Sequence, residues 1–185
     1  LFRSVGSRVQ EFTGNVRNGK GTTFVVEADE YRDHFLHYQP TVAVITNIEA
    51  DHLDYFGSME KMIASFQKYI SLLPPDGKLV VNADDERCMA IAKNISHKIT
   101  FGIHHDADLM AKNISTGDGW QKWETVWKGE SLGEFTLHLP GEFNIMNCLA
   151  AMAAAIASGA EPKTFATTIE KFHGVWRRFQ ILNPK

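Results

Sequence analysis

Cysteine is scarce in this chain: Cys88 and Cys148 are the only two among 185 residues. Two thiols cannot build the disulfide framework that staples small secreted domains, so a reducing cytoplasm is the expected setting. An excess of charge of one sign is also missing. The 19 Lys and Arg stand against 22 Asp and Glu, a formal net charge of −3, and no basic run breaks the mixture. An extended nucleic-acid footprint needs such a run, so no nucleic-acid partner is expected. Long apolar stretches are absent too. The longest, Cys148 to Ile156, is Ala-rich and too short to cross a bilayer, and no secretory signal is visible, so no membrane insertion is expected. There is no internal repeat and no low-complexity tract. What remains is ordinary globular material, 44% hydrophobic and 22% charged, long enough for one domain with a sizeable core.

The chain is organised around one stretch. Val42-Ala43-Val44-Ile45 is a short apolar run that reads as a parallel strand covered on both faces. Thr46-Asn47-Ile48-Glu49-Ala50-Asp51-His52-Leu53-Asp54 follows at once, and a helical pattern comes after it. Thr23-Phe24-Val25-Val26 repeats the arrangement and ends in Glu27-Ala28-Asp29-Glu30. Ligands of open α/β sheets bind at the carboxyl ends of the strands, where these polar loops would lie.

Other elements follow from spacing. Residues 1–22 are polar and dotted with Gly6, Gly14, Gly19 and Gly21, and read as mostly loop. Glu30 to His37 predicts a short helix. Ser58 predicts a cap for a helix through about Leu73, with Met59, Met62, Ile63, Phe66, Tyr69 and Ile70 at helical spacing. Lys78 to Val81 and Ile99 to Phe101 predict strands, and Asp84 the cap of a helix between them. Residues 108–139 alternate apolar and polar, with turns at Gly117-Asp118-Gly119 and Lys128-Gly129-Glu130, which predicts a small antiparallel sheet. An Ala-rich helix is expected from about Asn144 to Ser158, and a last helix from Pro162 to Phe172. The fold class is therefore α/β: a mostly parallel sheet flanked by helices, with a small antiparallel sheet.

Several residue groups bear chemistry. Glu27 and His52 each follow a strand, and side by side they would suit a divalent metal next to a phosphate ligand. Imidazole fits transition metals better than magnesium, so the residues alone leave the metal open. A helix cap and a hydrogen-bonded loop histidine are equally ordinary roles for the two. Asn144 and Asn147 fall on one face of a first helical turn and can offer donor and acceptor together to an adenine edge, although Asn144 also suits an N-cap. Arg177 and Arg178 beside Phe179 suit a phosphate clamp or an ordinary salt-bridge site. Gly14 to Lys20 has the G-x-x-x-x-G-K spacing of a phosphate loop. Gly21 stands where Ser or Thr is needed, and the segment would open a strand rather than a helix, so a plain turn is the better reading. His34 with His37, and His104 with His105, read as solvated pairs.

Taken in order, Glu27 to Glu30, Phe35-Leu36-His37 with Pro40, Thr46 to Asp54, Asp84-Asp85, Pro140-Gly141 with Asn144 and Asn147, and Arg177-Arg178-Phe179 resemble the Mur ligase family. The likeness covers nearly the whole chain from about Gly6, and the combination is far more specific than any one motif. It implies an ATPase domain with a P-loop NTPase-type sheet, and ATP and Mg2+ as cofactors. It implies ATP-dependent formation of an amide through an acyl phosphate, in peptidoglycan precursor synthesis. The motifs fit best the branch that joins L-alanine to UDP-N-acetylmuramate, with the branch that recycles murein tripeptide as runner-up. Carried over, Glu27 and His52 hold magnesium and serve catalysis, Asn144 and Asn147 meet the adenine, and Arg178 meets phosphate. Phe143 stands where the family usually has His, and Lys68 is not placed on the carbamylated lysine of some branches. A metal-dependent hydrolase built on Asp51-His52 and His34/His37 is the alternative from another class. Leu1 at one end and Ile181-Leu182-Asn183-Pro184-Lys185 at the other do not read as domain ends. The expected division is 1–180 for a partial ATPase domain without its upstream phosphate loop, and 181–185 for the start of a linker. The domains on either side are expected to belong to the same longer protein.

Overall fold

A computed structural model describes residues 2–9 and 14–175 of the chain. Nine strands form two sheets. The first has the order β2-β1-β3, with β1 (Phe2–Val9), β2 (Gly14–Arg17) and β3 (Phe24–Val26). β1 runs antiparallel to β2 and parallel to β3. This corrects the expectation of loop over residues 1–22: pairing partners distant in sequence satisfy the backbone of a segment that has no strand-like pattern of its own. It also places Gly14 to Arg17 of the phosphate-loop spacing in a strand, with exposed residues after it.

The second sheet has six strands in plain sequence order: β4 (Val42–Ile45), β5 (Lys78–Asn82), β6 (Lys98–Gly102), β7 (Leu109–Gly117), β8 (Trp120–Trp127) and β9 (Glu130–Leu137). β4, β5, β6 and β7 are mutually parallel, whereas β7, β8 and β9 are antiparallel. The alternating segment is therefore not a separate small sheet. β7 pairs with β6 and continues the parallel strands into the meander.

Helices cover both faces. α2 (Met59–Ser71) and α3 (Glu86–Ile91) pack with Leu79 and Val81 of β5, while α4 (Glu142–Ala157) packs with Val80 between them. Alternate residues of one strand thus feed two cores, as the pleat requires. Trp123, Phe135, Leu137, Ile145 and Leu149 are fully buried on the α4 side. α5 (Phe165–Glu170) closes that core through Phe165, after a short 3-10 turn, Pro162–Thr164.

Coverage is less complete at the sheet margins than the apolar runs suggest. In β4 Ala43 and Ile45 are buried, but Val44 is 39% exposed, because β4 is the margin of its sheet. Phe24 and Val25 of β3 are also exposed. The Glu30 to His37 helix is a 3-10 segment, Tyr31–His37, broken by left-handed Arg32 (φ 54°) and Asp33 (φ 59°). Asp85, not Asp84, caps α3: its carboxylate accepts from the Cys88 N–H at 2.8 Å. Gly141, not Asn144, precedes α4 as its N-cap. Both cysteines are free thiols, and burial pushes Cys148 up to about 12 and Cys88 higher still, so both stay protonated. Among the described residues no helix is long and apolar enough to cross a membrane.

Candidate functional site

Parallel strands put the carboxyl ends of β4, β5 and β6 at one edge, so the loops at 46–54, 82–85 and 103–108 share it. The loop after β3 comes to the same place although β3 belongs to the other sheet. A cleft there is lined by Ala28 and Glu30 from that loop, by Thr46, Asn47 and Asp51 after β4, and by Phe66 of α2. Its floor is apolar and its rim acidic, which suits a cation or a metal-bound anion better than a bare phosphate.

His52 directly follows Asp51 of that lining and is in a strained backbone state. It occupies the left-handed region (φ 53°) as the residue before α1 (Leu53–Phe56). Its carbonyl accepts from the N–H groups of Tyr55 and Phe56, and its own N–H donates to Asp51 Oδ1 at 2.7 Å. A left-handed non-glycine residue costs on the order of 1 kcal/mol or more, and such residues concentrate at functional sites. The imidazole is 36% exposed. Its Nε2 lies 3.9 Å from Glu30 Oε1, and its Nδ1 lies 3.7 Å from Asp51 Oδ1. The Tyr31 ring is centred 4.8 Å from it.

The turn that carries Glu30 and Tyr31 is itself tied down. Asp33 accepts a hydrogen bond from Tyr55 of α1 at 2.8 Å and a short one from Ser65 of α2. The bond to Asp33 holds the Tyr55 hydroxyl above its ordinary pKa. Tyr31 N–H donates to Asp29 Oδ1, and Arg32 lies over the Tyr31 ring at 5.4 Å. Phe35 stacks on Tyr69 at 4.7 Å and anchors the far end of the segment.

The residues singled out from the sequence distribute as follows. Glu27 is exposed at the end of β3, and the carboxylates of Asp51 and Glu30 both stand near the His52 ring. Asn144 is half-buried and Asn147 exposed, both in the first turns of α4. Asn144 Nδ2 donates to the Pro140 carbonyl at 2.6 Å, which commits one amide hydrogen and fixes the side chain. The Phe143 ring folds against Gly141, whose missing Cβ makes that approach possible (φ 94°). Arg177, Arg178 and Phe179 lie outside the described residues. Lys68 is exposed in the last turn of α2. His34 pairs with Asp29 at 3.3 Å, both largely exposed. Among the described residues no group of three or more His, Cys, Asp or Glu is arranged to hold a metal ion, so the hydrolase alternative finds no closed site there.

Three residues escaped the sequence reading. Glu30 lay within the acidic loop, but the turn geometry that brings it near His52 is not written in the spacing. Asp33 carried no signal of its own. Asp84 read as a cap, yet its carboxylate accepts from the N–H groups of Ile103 (2.7 Å), His104 (3.1 Å) and His105 (2.7 Å). Burial works to raise its pKa, but those bonds and one from the His105 ring outweigh it and hold it below the ordinary carboxylate value.

A parallel α/β sheet with acidic loops converging at its carboxyl edge defines a ligand-binding domain of the open-sheet type. Comparison with known proteins narrows this. The family model of the Mur ligase middle domain matches residues 7–155. A UDP-N-acetylmuramate–L-alanine ligase of Caldanaerobacter subterraneus subsp. tengcongensis is 38% identical over 179 residues, covering 96% of this chain and 39% of the relative. The enzyme of the same name from Clostridium novyi is 39% identical over 178 residues, with the same coverage of each, 96% and 39%. The crystal structure of the UDP-N-acetylmuramate–alanine ligase of Thermotoga maritima matches with a TM-score of 0.84 at 27% identity, covering all of this chain and 41% of that one. A UDP-N-acetylmuramate:L-alanyl-gamma-D-glutamyl-meso-diaminopimelate ligase from Neisseria meningitides matches at 0.80 and 26%, covering 94% of this chain and 58% of that one. The chain belongs to the Mur ligase family and corresponds to its middle domain. It spans about two fifths of the length of the curated relatives it matches.

Proposed function

We propose that this chain is the ATP-handling part of a ligase that joins L-alanine to UDP-N-acetylmuramate. The observation that carries the reading is His52, held left-handed next to Asp51 and 3.9 Å from Glu30, two acidic residues that line the cleft at the carboxyl edge. Bound ATP would supply the phosphoryl group that activates a substrate carboxylate toward an amine.

The carboxylate of Glu27 is the hard oxygen ligand that magnesium takes, with phosphate oxygens and water completing the shell, whereas the imidazole of His52 is a softer donor than that ion usually accepts. Glu27 and His52 are the proposed ligands, with Glu30 the carboxylate positioned to orient the imidazole. By holding the ion, Glu27 and His52 would place positive charge where the transferred group develops negative charge. Asn144 and Asn147 would face the adenine, and Arg178 the phosphates. A cytoplasmic setting accords with two free thiols.

The test uses a full-length ligase carrying this segment as its middle domain. His52→Ala is expected to lower amide formation and phosphate release together, by roughly 100-fold or more, since removing one charge-stabilising group typically costs that much. Near-normal turnover in a folded variant would overturn the metal role. The structural likeness to the diaminopimelate-peptide ligase favours one second reading, in which a peptide replaces L-alanine. Parallel assays with L-alanine and with the tripeptide separate the two.

A further inference from the structure

A continuous set of hydrogen bonds crosses the carboxyl edge, starting at Thr46 of the cleft lining. Asn82 Nδ2, at the end of β5, donates to the carbonyl of Thr46, the first residue after β4 (2.8 Å). Asn82 Oδ1 accepts from the Asp84 N–H (2.8 Å). The Asp84 carboxylate then gathers three successive N–H groups, of Ile103, His104 and His105, together with His105 Nδ1 at 3.0 Å. Successive N–H groups around one anion make a nest, and Asp84, 12% exposed, fills it with a side chain of the chain itself. Gly102 permits the approach, since a Cβ there would sit 3.1 Å from Asp84 Oδ1. From the turn so fastened, His104 Nε2 reaches Glu142 Oε1 at 2.8 Å. Glu142 is the first residue of α4, which has no side-chain cap.

We propose that Asp84 and His104 are positioning residues for the nucleotide: they fix the first turn of α4, and with it Asn144 and Asn147, relative to the loop that carries His52. This rests on the proposed adenine role of that turn. His104 and Glu142 are 60% and 55% exposed, so their pair adds little to global stability. Its effect falls on the placement of α4. His104 also titrates. Glu142 holds His104 above its ordinary pKa, helped by Asp84, and the contact weakens as pH rises past that value. The groups facing His104 are Glu142 of α4, Asp84 after β5, and His105 and Asp106 on its own turn.

The experiment measures binding of a non-hydrolysable ATP analogue by calorimetry, and KM for ATP, in a full-length ligase carrying this segment. His104→Ala is expected to weaken analogue binding and raise KM roughly fivefold, the factor carried by one modest ion pair, with kcat changed less than about twofold. His104→Gln, which keeps a donor for Glu142, is expected to restore most of the affinity while losing its fall as pH rises past the raised imidazole pKa. Analogue binding by His104→Ala equal to the parent at every pH would overturn the proposal. So would His104→Gln as weak as His104→Ala. Asn147→Ala is the control: parent-like binding there defeats the adenine reading itself, whereas weak binding there with normal binding in His104→Ala defeats only the positioning role.

Discussion

Replacing Gln121 by Met tests how the sheet delivers α4 to the carboxyl edge. Gln121 lies on β8 and is 2% exposed, an unusual place for an amide. Its Nε2 donates to the carbonyl of Leu139 at 2.7 Å and to that of Gly141 at 2.9 Å. Those carbonyls flank Pro140, in the connection between β9 and α4, so one side chain staples the entry to the helix. Met keeps the length and roughly the volume and removes the amide. The Gly141 carbonyl still accepts from the Asn144 N–H at 2.9 Å, so the Leu139 carbonyl is the group left without its donor, and the variant is expected to lose about 2 kcal/mol. For a chain of this size that is a fall in Tm of roughly 4–8 °C. Thermal unfolding followed by circular dichroism, checked against urea midpoints, reads it directly. A Tm within about 2 °C of the parent would refute the reasoning, since by the same scaling it would mean that the Leu139 carbonyl loses nothing with Nε2.

Three more outcomes follow from the structure. Leu149→Ala, at a fully buried position of α4, is expected to cost about 2–5 kcal/mol by cavity formation, read as a shift in urea midpoint. The folded pKa of Asp84 lies below its unfolded value of about 3.9, so its contribution is present above that pH and is lost as pH falls through the folded value. Asp84→Asn is therefore expected to unfold more readily at neutral pH and to show a flatter acid limb than the parent, and parallel limbs would contradict the assignment. The isolated 185-residue chain is expected to release no phosphate from ATP, because Gly21 replaces the needed hydroxyl in its one glycine-lysine spacing and Gly14 to Arg17 is a strand. Turnover proportional to chain concentration and abolished by His52→Ala would count against this.

The parts of the fold legible in the sequence were those with local cause. Val42 to Ile45 showed itself as an apolar run, and β7 to β9 by strict alternation with glycine turns. α2 showed itself by helical spacing behind Ser58, whose hydroxyl does accept from Lys61 N–H. The hidden parts depend on distant partners. β1 pairs with β2 on one side and with β3 on the other, across residues that look like loop. Adjacent aspartates at 84 and 85 are equivalent as cap candidates, and the choice was made by three N–H groups from a turn near residue 104. At the site, the converging loops were visible as acidic strand exits. That Glu30 turns back toward His52 was not, because the segment after it bends through two left-handed residues, Arg32 and Asp33, and a left-handed arginine is not foreseen by propensity.

The change of direction at β7 also has a kinetic consequence. The antiparallel half closes through tight turns that pair neighbours such as Trp127 with Glu130, whereas β4 must wait for α2 before Val42 meets Lys78. Hairpins form in microseconds, and parallel pairing bears the loop-closure entropy of its crossover first. Amide protection in pulse-labelled refolding is therefore expected at Trp123 and Phe135 before Val44 and Val80. The meander serves as a template that folds early, and the strand ends that carry His52 and Asp84 are assembled onto it last.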